Sequence, residues 1–199
     1  MSKGLYKMKA AMRFSLFAVL LCMMVSCEDF LNVSNEYSTH QCYYIIDFSF
    51  GHTASPLYAA LGGTTTFCMI SEESTGGSAY KLRAWMHGTA AHEETISEEY
   101  LTRPTRQLGL NDGLIIGKSS FQNGDLYVFD RQCPNCYNEY HRMNYALNFT
   151  DALNVKCPNF QRVYSLLSSG AIASGGSGEK LFRYHATYNG QRLTIANPK

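Results

Sequence analysis

The stretch Phe182-Arg183-Tyr184-His185-Ala186-Thr187-Tyr188, then Asn189-Gly190, then Arg192-Leu193-Thr194-Ile195, decides the fold class. Apolar, aromatic and β-branched residues lie on both sides of an Asn-Gly pair. That dipeptide is the strongest short hairpin signal, because both residues tolerate positive φ. The stretch predicts a β-hairpin. The same signal recurs upstream, where residues 114–117 (Leu-Ile-Ile-Gly) and 126–129 (Leu-Tyr-Val-Phe) flank Asn123-Gly124. The spacing there is looser on the first side and predicts a longer loop.

Outward from these hairpins the chain keeps a β character. Residues 42–50 (Cys-Tyr-Tyr-Ile-Ile-Asp-Phe-Ser-Phe), 64–70 and 80–85 read as strands, and so do the short segments 145–149, 155–157 and 163–167. Residues 168–170 and 174–178 are Ser/Gly-rich turns. Leu57-Tyr58-Ala59-Ala60-Leu61 can form a helical turn, and no stretch sustains a helical period. Residues 86–109 are polar, with His87, His92, Glu93-Glu94 and Pro104, and read as an excursion between sheets. Short strands with frequent turns predict an all-β sandwich or barrel.

The first 26 residues read as a targeting signal. Lys3, Lys7, Lys9 and Arg13 precede the apolar run 14–25, which is shorter than the roughly 20 residues of a membrane-spanning helix. Met24-Val25-Ser26-Cys27 resembles a bacterial lipobox, which makes Cys27 the expected lipid-bearing residue. Cleavage removes four of the 17 Lys+Arg and none of the 16 Asp+Glu, leaving 13 against 16, a net of −3. Nothing in that balance points to nucleic acid. The expected address is the cell envelope, lipid-anchored at the outer membrane. Residues 27–40 form a polar tether and 41–199 the domain.

Export permits disulfides. Five cysteines follow Cys27: Cys42, Cys68, Cys133, Cys136 and Cys157. Cys42 and Cys68 lie on two predicted strands and are a disulfide candidate, with packing as free thiols the alternative. Arg131-Gln132-Cys133-Pro134-Asn135-Cys136 and Val155-Lys156-Cys157-Pro158-Asn159-Phe160 each follow a predicted strand. Cys-Pro-x-Cys at a strand end has the shape of a metal knuckle, whose tight turn aims backbone amides at sulfur. Two such knuckles make a four-ligand zinc or iron site. Here Phe160 stands where the fourth ligand belongs, and His141 is the nearest candidate in sequence to replace it. A disulfide among Cys133, Cys136 and Cys157 remains open. So does a redox-active Cys133–Cys136 pair, which requires a following helix to lower the thiol pKa. The six histidines show no metal spacing, and the fourteen tyrosines fit β-sheet packing.

These segments together carry a family resemblance. A hairpin leads into Asp130-Arg131-Gln132-Cys133-Pro134; intervening strands lead to the second knuckle, Cys157-Pro158-Asn159-Phe160. An aromatic strand and glycine turn, Tyr164-Ser165-Leu166-Leu167-Ser168-Ser169-Gly170, a Gly-rich loop and the closing hairpin follow. This layout over residues 113–197 resembles the Rieske-type [2Fe–2S] domain, and looks most like the Rieske-like lipoproteins of Bacteroidetes-type bacteria. The resemblance implies a β-sandwich with a knuckle subdomain near 131–165. It also implies a cluster held by Cys-x-His and Cys-x-x-His. The cysteines map onto Cys133 and Cys157, and the histidines onto Asn135 and Phe160. Cys136 lies one residue past Asn135.

The expectation is therefore a membrane-anchored, non-enzymatic Rieske-like lipoprotein. Its knuckle cysteines serve structure, with no cofactor and a protein partner the sequence does not name. The alternative is an electron-transfer or metal-binding protein holding [2Fe–2S] or zinc through Cys133, Cys136 and Cys157. A second alternative is a thiol redox module using Cys133 and Cys136.

Overall fold

Runs such as Leu114-Ile115-Ile116 and Tyr127-Val128-Phe129 offer apolar side chains to both faces of a strand, so both faces must be covered. The computed structural model, which describes residues 37–74, 79–97, 107–120 and 124–197, shows how. The signal, Cys27 and most of the tether lie outside these residues. Twelve strands and two α-helices are present among the described residues. They belong to one compact unit that begins at Tyr37.

Three antiparallel sheets organise the chain. The largest has the order β4-β3-β2-β5-β6, with β2 Phe67–Ser74, β3 Ala79–Trp85, β4 His92–Ser97, β5 Gly113–Lys118 and β6 Leu126–Asp130. A three-stranded sheet has the order β1-β12-β11, with β1 Cys42–Asp47, β11 Ala186–Tyr188 and β12 Arg192–Asn197. A small sheet has the order β10-β9-β8-β7, with β7 Asn148–Asp151, β8 Asn154–Lys156, β9 Val163–Ser165 and β10 Ala171–Ser174. The all-β expectation holds.

Side chains of the large sheet separate by parity into two cores. Cys68, Ile70, Leu82, Ala84, Leu114, Ile116 and Val128 face a core shared with Tyr44 and Ile46 of β1 and Leu193 and Ile195 of β12. Phe67, Met69, Ile115, Tyr127 and Phe129 face a second core, shared with Val155, Tyr164 and the cysteines Cys133, Cys136 and Cys157. Strands β1 and β12 bury only alternate residues, while β5 is buried at five consecutive positions. Helix α1, Pro56–Gly62, helps close the first core. Ser55 Oγ caps it by accepting from Leu57 N–H at 3.3 Å, and Leu57, Ala60 and Leu61 are its buried face.

Several local expectations are corrected. The strand expected over 42–50 stops at Asp47, whose side chain accepts from Ser49 N–H at 3.0 Å and starts a 3₁₀ turn. The polar segment 86–109 contains β4, an edge strand whose Glu93 pairs with Lys81 at 2.7 Å and Arg83 at 3.2 Å across the ladder. Charge on an edge strand prevents further pairing, and it also hid the strand from a reading based on apolar residues. Residues 182–188 divide between two sheets: Asp130 N–H donates to Phe182 O and Tyr184 N–H to Val128 O, before β11 joins β12. In the closing turn only Gly190 takes positive φ. Asn189 acts instead through its side chain, which accepts from Gln191 and Arg192 N–H at 3.1 and 2.7 Å. The loop is longer than a two-residue turn, with Tyr188 opposite Leu193.

Two-sided burial of β5 makes a clear prediction. Ile115→Ala and Ile116→Ala are each expected to cost about 2–5 kcal/mol, because neither side chain faces water. Denaturant unfolding of both variants is the check, and a near-neutral result for either would contradict the two-core arrangement.

Candidate metal centre

The first knuckle is set by the end of β6. Residues 131–133 run beside 145–147: Leu147 N–H donates to Arg131 O at 2.7 Å and Cys133 N–H to Tyr145 O at 2.9 Å. Gln132, fully buried, ties the loop between them. Its Oε1 accepts from Asn111 Nδ2 and Tyr145 N–H, and its Nε2 donates to Cys133 O and Arg142 O. Asp130, also buried, accepts from Gln132 N–H at 2.6 Å, Leu110 N–H at 2.7 Å and Tyr184 Oη at 2.6 Å. Gly109 adopts φ +68, and a Cβ there would strike the Asp130 carboxylate. Neither Gln132 nor Asp130 stood out as a functional candidate in the sequence, since a single amide or acid at a strand end carries no motif.

Cys133 is the N-cap of helix α2, Pro134–Tyr140, with Pro134 in its first turn and Pro134 and Cys136 as its buried residues. Proline there needs no N–H partner, so the Cys-Pro step starts the helix without loss. The second knuckle follows β8. Gln161 N–H closes onto Cys157 O at 3.0 Å, Cys157 N–H donates to Arg162 O at 2.9 Å, and Gln161 takes φ +58.

These two turns bring three sulfurs together. The Sγ atoms of Cys133, Cys136 and Cys157 all lie within 4.8 Å of one another, and all three residues are fully buried. Each sulfur also has a hydrogen-bonding partner outside the trio. Tyr164 Oη lies 3.4 Å from Cys133 Sγ, Asn159 Nδ2 is 3.8 Å from Cys136 Sγ, and Phe160 N–H is 3.5 Å from Cys157 Sγ. Cys136 N–H likewise faces Cys133, and Asn159 N–H faces Cys157. The knuckle amides thus point at sulfur as the Cys-Pro turns predicted. The trio lies within 4.8 Å although Cys157 is 21 residues beyond Cys136, a proximity the sequence does not reveal.

Electrostatics divide the roles. Burial pushes the Cys133 and Cys136 thiols up. Burial also acts upward on Cys157, but Phe160 N–H, the two neighbouring thiols and Asn159 N–H outweigh it, so its pKa is lowered. Burial raises Tyr164, with Cys133 adding to the effect, and keeps its hydroxyl a donor.

Compared with known proteins, the chain matches no family model, no curated protein and no solved structure.

The disulfide expectations are not met. All five described cysteines are free. Cys136 and Cys157 approach to 3.4 Å, well beyond the roughly 2.05 Å of a disulfide. Cys42 and Cys68 sit on strands of different sheets, so no ladder aligns them; burial pushes each thiol up to about 12 and leaves it an inert core residue. His141 does not join the trio. It ends α2 in the left-handed region with φ 50, exposed, its ring 6.3 Å from that of Tyr137. A helix does follow Cys133, as a redox pair requires, yet both thiols of that pair are raised rather than lowered.

The residues do not fit the two-histidine side of a Rieske cluster. Asn135 is held by three hydrogen bonds: its Nδ2 donates to Tyr164 Oη and Glu179 O, both at 2.9 Å, and its Oδ1 accepts from Glu179 N–H at 3.0 Å. Phe160 stacks on Tyr140 with ring centroids 5.9 Å apart, and the Arg162 guanidinium lies over its ring at 4.7 Å. Neither offers a ligand atom to a second iron.

The carboxyl that anchors the first knuckle gives a pH prediction. Burial raises Asp130 from 3.8 to about 6, against the three donors that pull it down. A raised carboxyl stabilises the fold fully below its unfolded pKa, and that contribution is lost as pH rises through about 6. Between about pH 4 and about pH 6.5 the protein should therefore lose about 2 kcal/mol relative to Asp130→Asn. Urea unfolding of both proteins across that range measures it; parallel stability curves would refute the assignment.

Proposed function

We propose that this chain is a lipid-anchored, non-enzymatic protein of the cell envelope, built on a Rieske-like β domain, in which one thiophilic metal ion takes the place of the cluster. The observation that carries this reading is the buried trio of free thiols, each sulfur with a hydrogen-bonding partner outside the trio. Donors of this kind orient thiolate ligands and spread their charge, and they are a recurring outer shell of metal–sulfur sites. A cluster of three buried thiols without an ion has no comparable use for them. The metal would add a direct bond between two knuckles already joined by packing and by the Asn159–Cys136 hydrogen bond, and so hold the small sheet to the large one. Metal affinity of that kind is folding free energy.

The four-stranded sheet β7–β10 carries the second knuckle beside a three-stranded and a five-stranded antiparallel sheet, an arrangement that supports the Rieske-like reading. Support for the anchor comes from the signal and lipobox alone. No helix among the described residues is long and apolar enough to cross a membrane; in this reading the acylated Cys27 holds the domain at one.

Metal analysis of the protein purified without chelator tests the central point. About one thiophilic ion per chain is expected, lost in Cys157→Ser, with the variant's unfolding midpoint lowered to that of the chelator-treated wild type. A metal-free wild type whose stability chelator does not change would reject the site. Separately, Cys27→Ala should move the protein from the membrane to the soluble fraction; unchanged partitioning would reject the lipid anchor.

A further inference from the structure

The sulfur trio has no fourth partner of the usual kinds. Among the described residues, no histidine, aspartate or glutamate joins Cys133, Cys136 and Cys157 within the 4.8 Å group. The polar atom closest to completing the set is Tyr164 Oη, and it is already engaged. It accepts from Asn135 Nδ2 at 2.9 Å and lies within donating distance of Cys133 Sγ at 3.4 Å. Asn135 in turn is fixed by both backbone groups of Glu179, so this hydroxyl cannot swing toward a metal without breaking a chain of hydrogen bonds. The other polar groups at the sulfurs, Asn159 Nδ2 and Phe160 N–H, are donors and not ligands, and the core around them includes Leu147, Val155, Leu166 and Leu181.

We propose that the trio is a three-coordinate site selective for cuprous ion. This rests on the metal-binding reading above. Structural zinc sites close with four protein ligands, almost always in a tetrahedron. A set made only of thiolates selects among cuprous copper, zinc and iron–sulfur clusters. Zinc is disfavoured here by the missing fourth donor, and the Rieske cluster by Asn135 and Phe160. Monovalent copper is satisfied by three soft donors in a plane. With metal–sulfur bonds of about 2.3 Å, three sulfurs around a trigonal ion sit about 4 Å apart, inside the spacing present in the folded chain. Binding replaces the thiol protons, which leave to solvent, and copper enters and stays as Cu(I), so no electron is transferred. The ligand is thus a soft monovalent metal ion, and the site's chemistry is retention rather than redox turnover.

The test uses the full chain, reduced and anaerobic, titrated with Cu(I) and separately with Zn(II) and Co(II). The expected result is one Cu(I) equivalent that is absent from the Cys133→Ser/Cys136→Ser/Cys157→Ser protein, with X-ray absorption reporting three sulfur neighbours and no nitrogen or oxygen. The triple variant's fold is verified by circular dichroism, and the coordination number is read on the wild type, so it does not depend on any variant folding. Tyr164→Phe should still show three sulfur neighbours and no nitrogen or oxygen at one equivalent of Cu(I), with weaker retention because the hydroxyl beside Cys133 Sγ is gone. A four-coordinate Co(II) or Zn(II) spectrum that disappears in Tyr164→Phe would overturn the cuprous assignment while leaving a metal site in place. Failure of all three ions to bind the wild type at the trio would overturn both the assignment and the reading beneath it.

Discussion

Strands β5 and β6 must exclude water from both faces. Five consecutive buried residues in β5, and four in β6, mean that no arrangement with one solvated face can hold this sheet. Each buried aliphatic or aromatic side chain contributes about 1.5–3 kcal/mol relative to exposure. The rest of the chain is arranged around that requirement. β1, β12 and α1 cover one face; the small sheet and the two cysteine knuckles cover the other. The cysteines are therefore core residues first, and their chemistry develops inside a layer that would exist to cover Ile115, Tyr127 and Phe129 in any case.

That placement accounts for the character of the site. A thiol in an apolar layer resists ionisation, and two of the three do. The third is relieved by amides at the turn after Cys157 and by its two neighbours. Polar residues beneath the first knuckle are satisfied one by one: Gln132 uses its carbonyl and amide on four groups, and Asp130 receives three donors. Such a fully connected polar set is stable in a buried position, where a partly satisfied one would be costly. It also means that the knuckle cannot relax when its sulfurs approach one another.

The residues around the trio are tied to one another as well as to the core. Asn135 joins α2 to residue 179 and donates to Tyr164 Oη, which lies 3.4 Å from Cys133 Sγ. Cys136, one position on, brings a second sulfur of the same turn into the group.

Much of the β character was legible in the sequence, because Asn-Gly turns and apolar runs act locally. Both hairpins, the strands near 42, 67 and 80, the turn of helix at Leu57 and the two Cys-Pro turns were read from residues that act on their immediate neighbours. What escaped was what depends on partners. β4 is a strand because Arg83 and Lys81 meet Glu93 across the ladder, not because its own residues are apolar. The segment 182–188 serves two sheets because β6 has a free edge beside it. Cys42 and Cys68 share a core but not a sheet, so they stay thiols. Spacing alone made Cys133, Cys136 and Cys157 candidates for a bond or a metal. Only the folded chain, by bringing β8 against the end of β6 and excluding His141 from the group, decided that they meet as three free sulfurs, each with a hydrogen-bonding partner outside the trio.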